Sequence, residues 1–239
     1  MMNRIVALAC LIGGALPLQA APEETLLPSH TPAGYIARLL INEIPFPGER
    51  GYVSEEDSKA TLRALLLVLD ARLNSIPPGY TREEVADTLS TNILDVITAG
   101  GTRGQMDGFY RDASGRPAMA PRVTARIARL QRIANQGEPD RFARLLAYAQ
   151  SLAVAYLSGE KPKPDLFASI SHIPPKPVTG RAFAWMTDQE YYHPGGNFIR
   201  IPNRLRGRLG GNRFYTLEKR KSPAAQPVTP DTPLVTIPK

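Results

Sequence analysis

The chain has 239 residues, of which 43% are hydrophobic and 21% charged, and a formal net charge of +7. With an N-terminal targeting segment and a C-terminal tail set aside, about 200 residues remain, enough for one compact domain with a sizeable core. The only cysteine, Cys10, falls in the targeting segment. A mature chain would therefore carry no disulfide, no thiolate nucleophile and no cysteine–zinc site.

Residues 1–20 read as a signal peptide. Asn3-Arg4 is a short basic start, Ile5 to Leu16 is apolar, and Leu18-Gln19-Ala20 ends on a small residue at the expected cut. Pro17 interrupts the apolar run before it reaches the roughly twenty residues that span a bilayer. Ala7 stands where a lipoprotein signal would carry a leucine, three residues before Cys10. The expected location is the periplasm or the exterior, after cleavage. Residues 21–30 read as a linker, 31–221 as one domain and 222–239 as a disordered tail with five prolines.

Thr31-Pro32 supplies an N-cap and a first-turn proline for a helix carrying Tyr35, Ile36, Leu39, Leu40 and Glu43 at helical spacing. Pro45 and Pro47 must end it, because proline lacks an N–H and restricts the residue before it. Glu43 thus falls on the last turn, near the apolar face. Partial burial and the negative end of the helix dipole both disfavour its charged form there. A raised carboxyl pKa suits a general acid that protonates a leaving oxygen near neutral pH. The plainer alternative is a solvated turn residue, or one paired with Arg38 or Arg50. A second glutamate, Glu49, follows in the stiff turn Pro45-Phe46-Pro47-Gly48-Glu49.

Ser54-Glu55-Glu56-Asp57 reads as a capping box opening a helix through Leu62, Leu65, Leu66, Val68, Leu69 and Leu73. It is apolar nearly all round, which marks a buried central helix. Thr81-Arg82-Glu83-Glu84 opens a further helix with Val85, Leu89, Ile93, Val96 and Ile97 on one face, stopping at Gly100-Gly101. Residues 102–121 read as a long polar loop, a length often associated with function. Within it Gln105, Phe109 and Tyr110 are candidate sugar contacts, though Phe109 serves equally well as a plug that anchors the loop. Residues 122–136 and the stretch from Glu138 through Leu157 carry two more helical patterns. Beyond Glu160 prolines break the pattern, aromatic residues concentrate, and short strands or a hairpin are expected near 182–186 and 213–217.

The charge is uneven. Eight basic residues lie between Arg200 and Lys221 against Glu218 alone, and the rest of the chain balances at 21 against 21. Such a stretch points to an acidic partner (nucleic acid, anionic lipid or an anionic wall polymer) or to a merely solubilising surface; export makes nucleic acid the least expected partner. No phosphate loop, His-Glu-x-x-His or Gly-x-Ser-x-Gly elbow is present. The histidines His30, His172 and His193 are scattered, and no metal or organic cofactor is expected.

Several segments in order resemble the bacterial cell wall hydrolase family related to the spore cortex-lytic transglycosylase. They are Asn42-Glu43 with Gly48-Glu49, Val68-Leu69-Asp70-Ala71-Arg72, Gly104-Gln105 with Phe109, Thr179-Gly180-Arg181-Ala182-Phe183, and Gly210-Gly211-Asn212-Arg213-Phe214-Tyr215. Two extra residues separate the glutamates, and Arg213 stands where that family carries a histidine. The resemblance implies cleavage of the β-1,4 bond between N-acetylmuramic acid and N-acetylglucosamine in peptidoglycan glycan strands. One glutamate would act as acid and then base, while the muramic 6-hydroxyl attacks and leaves a 1,6-anhydro end. Hydrolysis stays open, with two carboxylates roughly 5–5.5 Å apart if retaining and roughly 6.5–9.5 Å if inverting.

Glu43 is the expected general acid/base. Glu49 is the runner-up, or a residue that positions Glu43. Gln105, Phe109, Tyr110, Tyr191, Tyr192 and Tyr215 are the candidate groove residues. The expected fold is mainly α, a single lysozyme-like helical domain with a short β hairpin or irregular C-terminal segment. Two other readings compete: a non-catalytic peptidoglycan-binding module built on the aromatic and basic C-terminal third, and an interaction protein whose helices scaffold the tail.

Overall fold

The computed structural model describes residues 26–104, 106–136, 140–161, 163, 177–187, 197–201, 203 and 205–220. The expected signal peptide (1–20), most of the expected linker (21–30), Gln105, His172, Tyr191, Tyr192, His193 and the expected tail (222–239) lie outside them.

Helix α1 (Pro32–Asn42) begins where the Thr31 hydroxyl accepts from the Gly34 amide at 3.1 Å, with Pro32 inside the first turn. Helix α2 (Glu55–Asn74) begins where Ser54 accepts from the Asp57 amide at 3.0 Å, and its three first-turn acids face the positive helix end. From Leu62 to Arg72 only Arg63 escapes burial, so α2 is the buried helix its composition requires. Helices α3 (Arg82–Ala86) and α4 (Ile93–Thr98) replace the single helix expected there. Asp87 adopts a left-handed φ of 55°, and the Ser90 and Asn92 side chains accept from the Asn92 and Leu94 amides. These short polar side chains compete with the helical ladder and start a new helix instead. Leu89 is consequently 74% exposed rather than on the buried face.

Helices α5 (Pro121–Asn135) and α6 (Arg141–Leu157) complete the helical layer, and α6 packs on α1, α5 and α2. Between α4 and α5, strands β1 (Phe109–Arg111) and β2 (Pro117–Met119) pair as a hairpin within the expected loop. Its turn is held by Asp112, whose carboxylate accepts from the Ser114 and Arg116 amides.

The C-terminal third forms an antiparallel sheet of β3 (Ala184–Thr187), β4 (Phe198–Arg200), β5 (Arg208–Leu209) and β6 (Asn212–Leu217). Strand β6 pairs with the other three, and all six of its residues are buried. Of the described residues 46% are helical and 14% lie in strands or bridges, in two antiparallel sheets. That corrects the expectation of a mainly α, lysozyme-like domain: the architecture is α+β. The strands are short, and β6, covered on both faces, shows no alternation of polar and apolar residues, the usual signal of a half-buried strand. A small apolar cluster of Ala71, Val85, Phe183 and Leu217 seats the sheet on the C-terminal end of α2. Among the described residues no helix is long and apolar enough to cross a membrane.

Candidate functional site

Glu43 caps α1, its amide donating to the Leu39 carbonyl at 3.1 Å. The neighbours Ile41, Ile44 and Phe46 are buried, which holds the carboxyl at the edge of the core. Trp185 of β3 donates its indole N–H to Glu43 Oε2 at 2.9 Å, and Asn42 Nδ2 donates to Oε1 at 3.1 Å. Asn212, at the start of β6, fixes the backbone by donating to the Glu43 carbonyl at 2.7 Å.

This meeting of helix and sheet depends on glycine. β5 and β6 are joined by Gly210-Gly211, both at positive φ (48° and 76°), the tight hairpin turn that such residues permit. A Cβ on Gly210 would lie 2.1 Å from Thr61 Oγ1, and one on Gly211 would lie 3.0 Å from Pro45 Cγ. The turn can therefore sit between α2 and the Pro45 segment, which brings Asn212 under Glu43.

Burial is the largest influence on Glu43 and raises its pKa above the ordinary carboxylate value. The donors Trp185 and Asn42 and the nearby Arg126 pull it back, while the charge of Asp107 raises it further. The net direction is up. The negative helix end contributes less than the sequence suggests, because Arg126 of α5 covers it. Arg126 Nη1 donates to the Ile41 and Asn42 carbonyls at 2.9 and 3.3 Å, and Nη2 to the Ile44 carbonyl at 2.9 Å.

Glu49 has the opposite environment. Its carboxylate accepts from the Phe46 amide at 2.9 Å, from Arg126 at 2.5 Å and from Arg129 at 2.6 Å. Burial alone would raise its pKa, but these donors outweigh it and hold Glu49 below the ordinary range. Glu49 is thus an ionised brace for the turn. Among the described residues neither Arg38 nor Arg50 pairs with Glu43, and Arg38 donates to the Leu27 and Gly34 carbonyls.

The aromatic candidates divide. Phe109 is fully buried against the Tyr35 ring, with centroids 5.5 Å apart in an edge-on arrangement, so it is the plug. Tyr215 is fully buried in β6 and belongs to the core rather than to a groove. Tyr110 is partly exposed, and its carbonyl accepts from the Tyr35 hydroxyl at 3.3 Å. Arg213 is 3% exposed. The basic stretch is therefore no single face: Arg213 is interior, and Arg220 pairs with Glu84 while its guanidinium lies 3.9 Å from the Tyr80 ring centre.

Sequence reading did not single out Trp185, Asn212, Arg126 or Asp107 for this site. The sole tryptophan of the chain was the one available signal. Behind it lies Arg72, 4% exposed, with its guanidinium carbon 5.8 Å from the Trp185 ring centre and Nε donating to the Phe183 carbonyl at 2.6 Å. Burial lowers the Arg72 pKa to about 10. Among the described residues no group of three or more His, Cys, Asp or Glu side chains is arranged to hold a metal ion. No protein-family model matches the chain, and neither a curated protein nor a solved structure matches it.

Proposed function

We propose that the chain is an exported enzyme that cleaves the β-1,4 bond between N-acetylmuramic acid and N-acetylglucosamine in peptidoglycan, with Glu43 as its general acid/base. One observation carries this reading: Glu43 is a partly buried carboxyl with raised pKa, held by two neutral donors, while the neighbouring Glu49 is neutralised by two arginines. A group of the first kind is protonated closer to neutral pH than an ordinary carboxylate, as proton delivery to a glycosidic oxygen requires. A group of the second kind is unsuited to that role.

In the proposed step protonated Glu43 gives its proton to the bridging oxygen as the bond to the anomeric carbon breaks. The resulting carboxylate then takes a proton from the incoming hydroxyl. Because the glutamate pair is divided into one acid and one brace, the reading favours an internal hydroxyl, the muramic 6-OH, as nucleophile. The product is a 1,6-anhydro end. Trp185 and Asn42 hold the carboxyl in orientation, and Asn212 holds its backbone.

The test is mass spectrometry of purified sacculi after digestion. Anhydromuramic products that disappear in Glu43→Gln would support the proposal. Reducing ends would shift it to hydrolysis, and no soluble product from the wild-type protein would reject it. Of the C-terminal aromatic residues that a rival binding module would use, Phe214 and Tyr215 are fully buried and Trp185 and Phe198 partly so.

A further inference from the structure

Trp185 can orient the Glu43 carboxyl only as far as its own ring is fixed. The ring is partly buried on β3, a strand of four residues, so core packing covers only part of it. Over its face lies Arg72, from the last turn of α2. Arg72 Nε donates to the carbonyl of Phe183, the residue before β3, at 2.6 Å, while the guanidinium carbon stands 5.8 Å from the Trp185 ring centre. One planar, rigid group thus holds the entry to the strand and the indole face together.

Anchoring a carbonyl does not require a guanidinium. Arg72 is 4% exposed, and its Nη1 is buried without a hydrogen-bond partner. Among the described residues no carboxylate pairs with it, and the charge of Asp87 acts on it only at longer range. Burying a cation in this way is costly. The negative end of α2 offsets part of that cost, and a pKa of about 10 leaves the group charged near neutral pH. The remaining partner for the charge is the Trp185 ring. A cation over an indole face also draws electron density from the ring, which makes the N–H a stronger donor.

We infer that Arg72 is a positioning residue for Glu43 that acts through Trp185, fixing the ring so that its N–H points at Oε2 and strengthening that donor. This role rests on Glu43 as the acid/base proposed above. The charged groups that face Glu43 are Arg126 of α5 and Asp107 ahead of β1, with Glu49 held by Arg126 in the turn that follows. Asp107 in turn pairs with Arg122. Among the described residues Arg72 bonds to none of these, so replacing it leaves their contacts in place.

Trp185 is the only tryptophan of the chain, so its fluorescence follows the protonation of Glu43 without any substrate. Emission from the parent should change with pH along a titration that is missing from Glu43→Gln. In Arg72→Gln, and less in Arg72→Lys, the midpoint should move upward, because a weakened donor stabilises the carboxylate less. The shift should not exceed that caused by Trp185→Phe. If Arg72→Gln does not fold, Arg72→Lys carries the test, since an ammonium cannot hold carbonyl and ring together. Carbon-13 NMR of the Glu43 carboxyl reads the same midpoint in Trp185→Phe, where adding Arg72→Lys should shift it no further. Turnover of glycan strands should fall roughly three- to tenfold in the Arg72 variants. An unmoved midpoint in a folded Arg72 variant, or parent emission that does not follow Glu43, would overturn the inference. A further shift in the Trp185→Phe background would also overturn it, by showing that the charge of Arg72 acts directly. If the midpoints move as expected but the parent releases no glycan fragments, the cleavage reading fails while the hold of Arg72 on Glu43 stands.

Discussion

Glu43 and Glu49 stand six residues apart on one turn, and the structure gives them opposite electrostatics. Glu43 receives an indole and a side-chain amide, both neutral, at the edge of the apolar core. Glu49 receives two guanidinium groups and a backbone amide. Neutral donors orient a carboxyl without compensating its charge, whereas a paired arginine fixes that charge in place. Arg126 links the two environments, because the same side chain neutralises Glu49 and covers the carbonyl end on which Glu43 sits. Closeness in sequence therefore says little about which carboxyl is protonated; the partners decide.

The largest expected effect separates the two directly. Glu43→Gln should lower release of glycan fragments roughly 10²- to 10⁴-fold, the usual worth of a positioned acid/base. Glu49→Gln should change that rate only a few-fold while lowering stability. Equal losses of activity in both variants would break the distinction. Next in size is Arg126→Ala, which strips partners from three carbonyls and from Glu49. A loss of about 3 kcal/mol in urea unfolding is expected. Arg126→Lys should recover less than half, since an ammonium cannot fork between a helix end and a carboxylate.

Much of the helical layer was legible in the chain because caps and apolar periods act locally. Thr31-Pro32 and Ser54 start α1 and α2 where the pattern places them, and the apolar run from Ala64 to Leu69 is the buried helix it looks like. The placement of Glu43 at a proline-terminated helix end was legible for the same reason. Of the sheet, β3 and β6 fall where short strands were expected near 182–186 and 213–217, whereas β4, β5 and the burial of Asn212, Arg213 and Thr216 in a strand paired on both sides were not legible. Period-based reading has no signal for a strand buried on both faces with polar residues in it. The partners of Glu43 were hidden for a different reason. Trp185 and Asn212 lie 142 and 169 residues away, and Arg126 looked like one of several arginines on the polar side of α5.

A smaller effect sharpens the role of Trp185. Trp185→Phe keeps a ring over Arg72 but removes the N–H, and the turnover rate should fall about tenfold, near the worth of one hydrogen bond. That donor lowers the Glu43 pKa, so its loss should move the alkaline limb of the pH–rate profile upward. A slower variant with an unmoved limb would make Trp185 a packing residue only.

The smallest effect is the dependence of stability on pH, where the two glutamates should have opposite signs. Folding raises the Glu43 pKa above 4.5, so the native state holds its proton at pH values where the unfolded chain has released it. Stability should therefore decline as pH rises from about 4.5 through the raised value, and Glu43→Gln should remove that decline. Folding lowers the Glu49 pKa below 4.5, so its contribution is present above that value and is lost as pH falls through the lowered one. Glu49→Gln should flatten the acid side of the stability curve. Within either window the slope is at most about 1.4 kcal/mol per pH unit for one proton. Urea midpoints for the parent and both variants between pH 3 and 8 would resolve it. The same sign in both variants would mean that the two carboxyls share one environment, and the division into acid and brace would fail with it.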